Sequence, residues 1–184
     1  MRVLAIFVAV LVPLSAVAEP PPPGPQIGKP APLFSLRDRE GALVSLGDLA
    51  YAGPDRPTRP RHVVVLDFFR TDCKPCRAAL PRLAALHKRY AARGLQVVLV
   101  ALLEDEEGRE KLDTFLEATP LPFTVLVDAY GVAGGKYVRN GARYTIPATF
   151  IVDRTGVLRE RAGALDDKQI KRIAQIVEGL VAGR

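Results

Sequence analysis

An apolar run that leads directly into two closely spaced cysteines is the feature that most limits what this chain can fold into. Residues 63–69 form a valine-rich run broken only by Asp67, which is typical of a buried central strand. Beyond Cys73, apolar and small residues recur every three to four positions, which predicts a helix that stops at Gly94. A second valine-rich run follows over residues 95–103. Strand, helix and strand in this order predict a parallel crossover, and hence an α/β fold.

The rest of the chain adds strands and helices to both sides of this crossover. In chain order, the sequence predicts a hairpin over residues 27–36 and 43–46, a helix over 109–118, a strand over 123–127, a frayed helix and loop over 129–143, a strand pair over 148–153 and 157–161, and a closing helix from Asp166. The tight turn of the last strand pair makes these two strands antiparallel, so the predicted sheet is mixed. A proline inside the long helix, Pro81, is expected to kink it.

The first 26 residues predict an exported chain. A charged start, an apolar run to Leu14 and small residues up to Ala18 are the three parts of a secretory signal, so we expect residues 1–18 to be a cleaved signal peptide. An uncleaved anchor is the alternative, although residues 3–18 are fewer than the roughly 20 that a spanning helix needs. Residues 19–26 are proline-rich and predict a spacer, which leaves 27–184 as the folded domain. That domain is expected in the periplasm or elsewhere outside the cytoplasm.

The charge distribution argues against a nucleic-acid partner. The chain has 26 lysines and arginines against 20 acidic residues, a net charge of +6. The arginines are scattered, and no aromatic residues are interleaved with them to stack bases. The proline- and arginine-rich stretch over residues 51–62 lacks periodicity and is expected to be a surface loop.

The spacing of Cys73 and Cys76 favours redox chemistry over a structural role. A disulfide between them closes a very short ring, worth roughly 2 kcal/mol against about 3 for a fifteen-residue loop. A zinc site is not expected, because the only other nitrogen or sulfur ligands of the usual kind are His62 and His87. The start of a helix stabilises an anion, so Cys73 is expected to be the attacking thiolate and Cys76, one turn further on, the resolving thiol.

Several motifs carry a resemblance to a known family. Asp67-Phe68-Phe69, Cys73-Lys74-Pro75-Cys76, Pro81 and Ile146-Pro147-Ala148-Thr149-Phe150 resemble the thioredoxin superfamily. Residues 27–32, together with Gly41 and Leu46, resemble more specifically the TlpA/ResA-type extracytoplasmic thiol-disulfide oxidoreductases. The resemblance runs from Ile27 to the end of the chain. It implies a thioredoxin-like fold, with a central mixed β-sheet, helices on both faces and an N-terminal β-hairpin extension.

The resemblance also implies roles for residues outside the cysteine pair. Pro147 would be a cis-proline facing the cysteines, and Ile146 would pair with the substrate through its backbone, while Phe69 and Pro75 would contact the substrate. Asp67 would be a buried acid that exchanges a proton with Cys76, and a carboxyl in an apolar strand is expected to have a raised pKa. The alternatives are an ordinary trans proline and an aspartate paired with an arginine.

The sequence departs from the family pattern next to the first cysteine. Asp72 stands where the family usually has tryptophan, and it should raise the pKa of Cys73, whereas Lys74 should lower it. The loop at 51–62 and the basic stretch around Lys136, Arg139 and Arg143 exceed the family's usual spacing.

Together these features predict an exported thiol-disulfide oxidoreductase that acts on disulfide-containing proteins. The resemblance alone implies that it acts as a reductant, in a cytochrome c maturation-like role or in general disulfide reduction. It would draw electrons from a membrane donor and need no cofactor or metal beyond the Cys73–Cys76 pair. A thiol peroxidase of the peroxiredoxin class is an alternative, but Thr71-Asp72-Cys73 lacks the spacing and the preceding proline of that site. A copper(I) carrier is another alternative, although nothing in the sequence places His62 or His87 near the cysteines as a further ligand.

Overall fold

The computed structural model describes residues 24–50 and 61–183. The predicted signal peptide, most of the predicted spacer and most of the loop at 51–62 therefore lie outside the described residues. The elements are β1 (Ser35–Asp38), β2 (Leu43–Ser45), α1 (Leu46–Ala50), β3 (Val63–Phe69), α2 (Lys74–Tyr90), β4 (Leu95–Leu102), α3 (Glu106–Ala118), β5 (Thr124–Asp128), α4 (Gly134–Tyr137), β6 (Arg139–Asn140), β7 (Arg143–Tyr144), β8 (Ala148–Val152), β9 (Leu158–Ala162) and α5 (Asp167–Val181).

A seven-stranded sheet in the order β2-β1-β5-β4-β3-β8-β9 organises the fold. Strand β3 pairs in parallel with β4, and β4 pairs in parallel with β5, while β8 runs antiparallel to β3. The predicted parallel crossover and mixed sheet are thus confirmed. All seven residues of β3 are buried, as its uninterrupted apolar character predicts for a central strand.

Helices cover both faces of the sheet. On one face, Val65 and Phe69 of β3 belong to a core cluster that α2, α3 and α5 close. On the other face, Leu66 and Phe68 pack with residues of α1, α4 and β1. Because successive strand residues point to opposite faces, Asp67 lies on the same face as Val65 and Phe69, under α2. Among the described residues, no helix is both long and apolar enough to cross a membrane.

The N-terminal hairpin is confirmed in position but is shorter than predicted. Its first strand begins only at Ser35, and before it Pro30 makes an isolated bridge to Val157. Prolines lack the N–H that a continuous ladder needs, which explains why residues 27–32 do not extend the strand. Leu46, expected in the second strand, instead begins α1.

The predicted helices largely form where expected. Helix α2 continues through Pro81 to Tyr90, a 3-10 turn follows, and Gly94 adopts a left-handed φ of 91° before β4. Helix α3 begins at Glu106, three residues earlier than predicted, because the Asp105 side chain caps it by accepting a hydrogen bond from the Gly108 N–H. Asp166 likewise accepts from the N–H of Gln169 at the start of α5, as its capping pattern predicts.

Residues 129–143 hold more structure than the sequence indicated. The buried Asp128 carboxylate accepts hydrogen bonds from the N–H groups of Val132, Ala133 and Gly134, and α4 follows directly. A Cβ at Gly134 would lie 2.7 Å from the Leu102 side chain, so any larger residue there would force that side chain to move. The strands β6 and β7 then form a small exposed hairpin that leads towards Ile146.

Candidate active site

The two cysteines lie where β3 gives way to α2. Cys73 is the N-cap of α2, and its Sγ accepts a hydrogen bond from the Cys76 N–H at 3.3 Å. The two sulfurs form a disulfide with a Cα–Cα distance of 5.3 Å. Cys76 is completely buried in the core between α2 and the sheet, whereas Cys73 is half-buried and the intervening Lys74 and Pro75 are exposed. Only one of the two sulfurs is therefore within reach of a protein partner.

The local environment of Cys73 suits a thiolate. Free N–H groups at the start of a helix and the helix dipole both stabilise a negative charge at the N-cap. A half-buried sulfur in this position combines accessibility with stabilisation of its anionic form, which is what thiol-disulfide exchange needs from the attacking residue.

Asp67 is a buried carboxyl on the face of the sheet that α2 covers. It is 1% exposed, and burial raises its pKa to about 7, against a smaller opposing effect of a hydrogen bond from Thr149. Its Oδ1 accepts the Thr149 hydroxyl at 2.6 Å, and its Oδ2 has no hydrogen-bond partner among the described residues. The predicted rise in pKa is confirmed, and the contact is with a threonine instead of an arginine.

Thr149 is a site residue that the sequence reasoning did not single out. In the antiparallel pair of β3 and β8 it lies directly opposite Asp67, so both side chains point to the same face. The motif Ile146–Phe150 contained the necessary signal, but only the register between the two strands brings this threonine to the carboxyl.

The hydrogen bond from Thr149 yields a direct prediction. Because it favours the charged carboxylate, Thr149→Val should raise the pKa of Asp67 further, by about one unit. Carboxyl ¹³C chemical shifts measured against pH would report this value, with the Asp153 carboxyl, which is held by Thr155 and Arg159, as an internal control. An unchanged or lowered Asp67 pKa would show that the hydroxyl does not act on the carboxylate.

Ile146 and Pro147 lie at the same end of the sheet as the cysteines. Their peptide bond is cis, as predicted, which excludes the trans alternative. Ala148 pairs with Phe68 in the antiparallel register, so Pro147 lies at the end where β3 leads towards Cys73. Both Ile146 and Pro147 are half-buried.

Phe69 was expected to contact the substrate, but its ring is fully buried. The ring packs against that of Phe115 at a centroid distance of 5.4 Å, a placement that does not support contact with a substrate.

Asp72 is held by an arginine that the sequence reasoning missed. Arg70 donates to Asp72 Oδ1 through Nε at 3.0 Å and to Oδ2 through Nη2 at 2.8 Å, and its Nη1 pairs with Glu104. This hydrogen bonding to Arg70 lowers the pKa of Asp72, which keeps its carboxylate charged. The sequence predicted that two charges act in opposite directions on the pKa of Cys73, those of Asp72 and Lys74. Arg70 adds a second positive charge next to this site, paired with Asp72.

The described residues contain no cluster of three or more histidine, cysteine, aspartate or glutamate side chains that could hold a metal ion. His62 and His87 are partly buried, and burial is the main cause that lowers the pKa of each. The expectation that the protein needs neither metal nor cofactor stays a prediction.

The fold and the cysteine pair at the start of α2 define a TlpA/ResA-like protein of the thioredoxin superfamily. Residues 27–161 match the model of the AhpC/TSA family, and the chain belongs to that family. Thioredoxin-like protein YneN of Bacillus subtilis (strain 168) is 31% identical over 150 residues, covering 81% of this chain and 79% of YneN. Thiol-disulfide oxidoreductase ResA of Bacillus thuringiensis subsp. konkukian (strain 97-27) is 28% identical, covering 79% and 75%.

Solved structures agree with these relatives. The crystal structure of a putative thiol:disulfide interchange protein DsbE from Chlorobium tepidum superposes with a TM-score of 0.71 at 27% identity, covering 86% of this chain and 99% of that one. StoA from Bacillus subtilis, at 20% identity and a TM-score of 0.59 over 80% of this chain and 97% of its own, shares the fold. With the Cys73–Cys76 disulfide, these similarities identify a protein-disulfide oxidoreductase.

Proposed function

We propose that this protein is an exported reductant that cleaves disulfides in protein substrates and is kept reduced by a membrane electron donor. The observation that carries the proposal is the Cys73–Cys76 pair itself, with one accessible sulfur at a helix start and one buried sulfur on the face that holds Asp67. Export rests on the signal-like composition of residues 1–18. The direction of electron flow rests on the resemblance to TlpA/ResA-type proteins.

The first step of the reaction is an attack by Cys73. In the reduced protein its thiolate attacks one sulfur of the substrate disulfide, forming a bond between Cys73 Sγ and that sulfur. The second substrate sulfur leaves as a thiolate and takes a proton from solvent. The helix start that stabilises the Cys73 anion raises the fraction of attacking thiolate near neutral pH.

The second step needs Cys76 and a base. Cys76 loses its proton to the Asp67 carboxylate and attacks Cys73 Sγ, which re-forms the internal disulfide and releases the first substrate sulfur as a thiolate. That thiolate takes a proton from solvent, and Asp67 gives its proton back to solvent. Two electrons pass from the cysteine pair to the substrate, which gains two protons. A carboxyl with a pKa of about 7 is suited to this exchange, because it is partly deprotonated at neutral pH and can also return the proton.

The surface around Cys73 offers a place for the substrate chain. Pro75 is exposed beside the sulfur, and Ile146 and Pro147 lie at the same end of the sheet. We propose that the Ile146 backbone pairs with an extended substrate segment and that Pro147 borders the bound disulfide, as the resemblance implies. Main-chain pairing of this kind accepts many sequences, which suits an enzyme acting on several proteins.

A redox titration tests the direction of this reaction. Equilibration of Cys73–Cys76 in glutathione buffers should give a potential closer to thioredoxin, roughly −270 mV, than to the oxidant DsbA, roughly −120 mV. Insulin reduction by the pre-reduced protein should proceed in parallel. A potential near that of DsbA would contradict the role as a reductant, and rapid consumption of hydrogen peroxide without insulin reduction would favour the peroxidase alternative.

A further inference from the structure

Arg70 links two acidic residues at the edge of the sheet next to Cys73. Strands β3 and β4 are parallel neighbours with Phe69 opposite Ala101, so the segments that follow them leave the sheet side by side. Arg70 follows β3 directly and bridges Asp72 and Glu104. Asp72 is bound through both carboxylate oxygens, the planar two-point geometry that a guanidinium forms with a carboxylate.

The position of Asp72 makes this bridge chemically important. Asp72 immediately precedes Cys73, and a negative charge beside a sulfur disfavours its thiolate. Its side chain is 67% exposed, so without a partner it could adopt rotamers that approach the sulfur. In the structure the carboxylate is instead turned to Arg70, while Cys73 Sγ accepts from the Cys76 N–H.

We propose that Arg70 is a positioning residue, which holds the Asp72 carboxylate in the Glu104–Arg70–Asp72 bridge so that it does not oppose formation of the Cys73 thiolate. Arg70 acts through Asp72: among the described residues, its guanidinium forms hydrogen bonds and ion pairs with Asp72 and Glu104 and not with the Cys73 sulfur. The inference rests on the proposed function, because it takes Cys73 to be the attacking residue.

A purely structural role explains the bridge less well. The side chains of Arg70, Asp72 and Glu104 are 26%, 67% and 57% exposed, and ion pairs this exposed contribute little to stability. Variants of these residues should therefore fold, which allows their effect on the thiol to be measured.

Other charged groups around the site stay constant in such a comparison. They are Asp67 of β3, Lys74 and Arg77 of α2, Asp105 before α3, and Glu107, Glu110 and Lys111 of α3. Lys111 is paired with Glu107 at 2.7 Å. Because every variant retains these groups, differences between variants report on Arg70 and Asp72.

A double-mutant cycle tests the proposal. In the full chain carrying Cys76→Ser, the rate of Cys73 alkylation by iodoacetamide is measured from pH 3 to pH 9, which gives the pKa of Cys73. Arg70→Gln should raise this pKa by about half a unit to one unit, a three- to tenfold loss of thiolate at pH values below the pKa. Asp72→Asn should lower the pKa at least about twice as far in the Arg70→Gln background as in the presence of Arg70.

Two further variants sharpen the result. Arg70→Lys keeps the charge but loses the two-point contact with Asp72. The Cys73 pKa in this variant should therefore lie between the Cys73 pKa values of the Cys76→Ser parent and of Arg70→Gln. Arg82→Gln removes a different exposed ion pair of α2, with Asp167 at 2.9 Å, and should leave the Cys73 pKa unchanged. Equal effects of Asp72→Asn in both backgrounds, or no effect of Arg70→Gln, would overturn the proposal. Alkylation needs no disulfide substrate. If the protein with both cysteines failed to reduce insulin, that result would therefore contradict the proposed function and leave this inference standing.

Discussion

Replacement of Cys76 by serine should turn a transient mixed disulfide into a stable adduct. Cys76 lies in the first turn of α2, one turn from Cys73, and both sulfurs already share a bond in the oxidised protein. An intramolecular attack from this position has a large effective concentration, so release by an external thiol at about 1 mM should be at least about 1,000-fold slower. Pre-reduced Cys76→Ser protein mixed with insulin should therefore accumulate an adduct, visible on a non-reducing gel and by intact mass.

Cys73→Ser is the matched control for this experiment. Its remaining thiol is fully buried, so it should form no adduct with insulin under the same conditions. Peptide mapping should place the adduct of the Cys76→Ser protein on Cys73. Trapping through Cys76 in the Cys73→Ser protein, or release from Cys76→Ser at the parent rate, would contradict the assignment of the attacking and resolving thiols.

The part of the fold that holds the cysteines could be read from local sequence patterns. The apolar run of β3, the helical spacing of α2 and the valines of β4 each specify their element without help from distant residues. By contrast, α4 depends on the buried Asp128, whose carboxylate binds three backbone N–H groups that follow it. Tertiary burial of that aspartate has no periodic signal, which is why this region was predicted only as a frayed helix and loop.

The site was predictable where a single segment forms it and unpredictable where two segments meet. Cys73, Cys76 and the raised pKa of Asp67 followed from residues within one strand and one helix. Thr149 meets Asp67 only through the register of β3 with β8, and Arg70 meets Glu104 only because β3 and β4 are neighbours, which no pattern within either strand reveals. The contact of Arg70 with Asp72 is local, two residues along the chain, and was missed because no periodic pattern marks it. The burial of Phe69 shows the same limit, since its ring packs on α3, an element distant in sequence.

The buried carboxyl of Asp67 should make the oxidised protein less stable as pH rises. Its pKa is 3.8 in an unperturbed chain and about 7 in the fold, so the folded state holds a proton that the unfolded state releases. A group of this sign contributes stability below its unfolded pKa, and that contribution is lost progressively between about pH 4 and pH 7. The loss attributable to Asp67 is about 4 kcal/mol by pH 8, since each unit of pKa corresponds to about 1.4 kcal/mol.

Asp67→Asn removes this titration while keeping a polar side chain of the same shape opposite Thr149. Urea unfolding of both oxidised proteins at pH 4 and pH 8 should show that the variant gains about 4 kcal/mol relative to the parent over this interval. The lowered pKa values of His62 and His87 act with the opposite sign, because they oppose protonation in the fold, but they are shared by both proteins and cancel in the difference. If the difference in unfolding free energy between the two proteins did not change with pH, Asp67 would have to be ionised in the folded state at acidic pH. A carboxyl with so low a pKa could not accept the Cys76 proton and return it near neutrality.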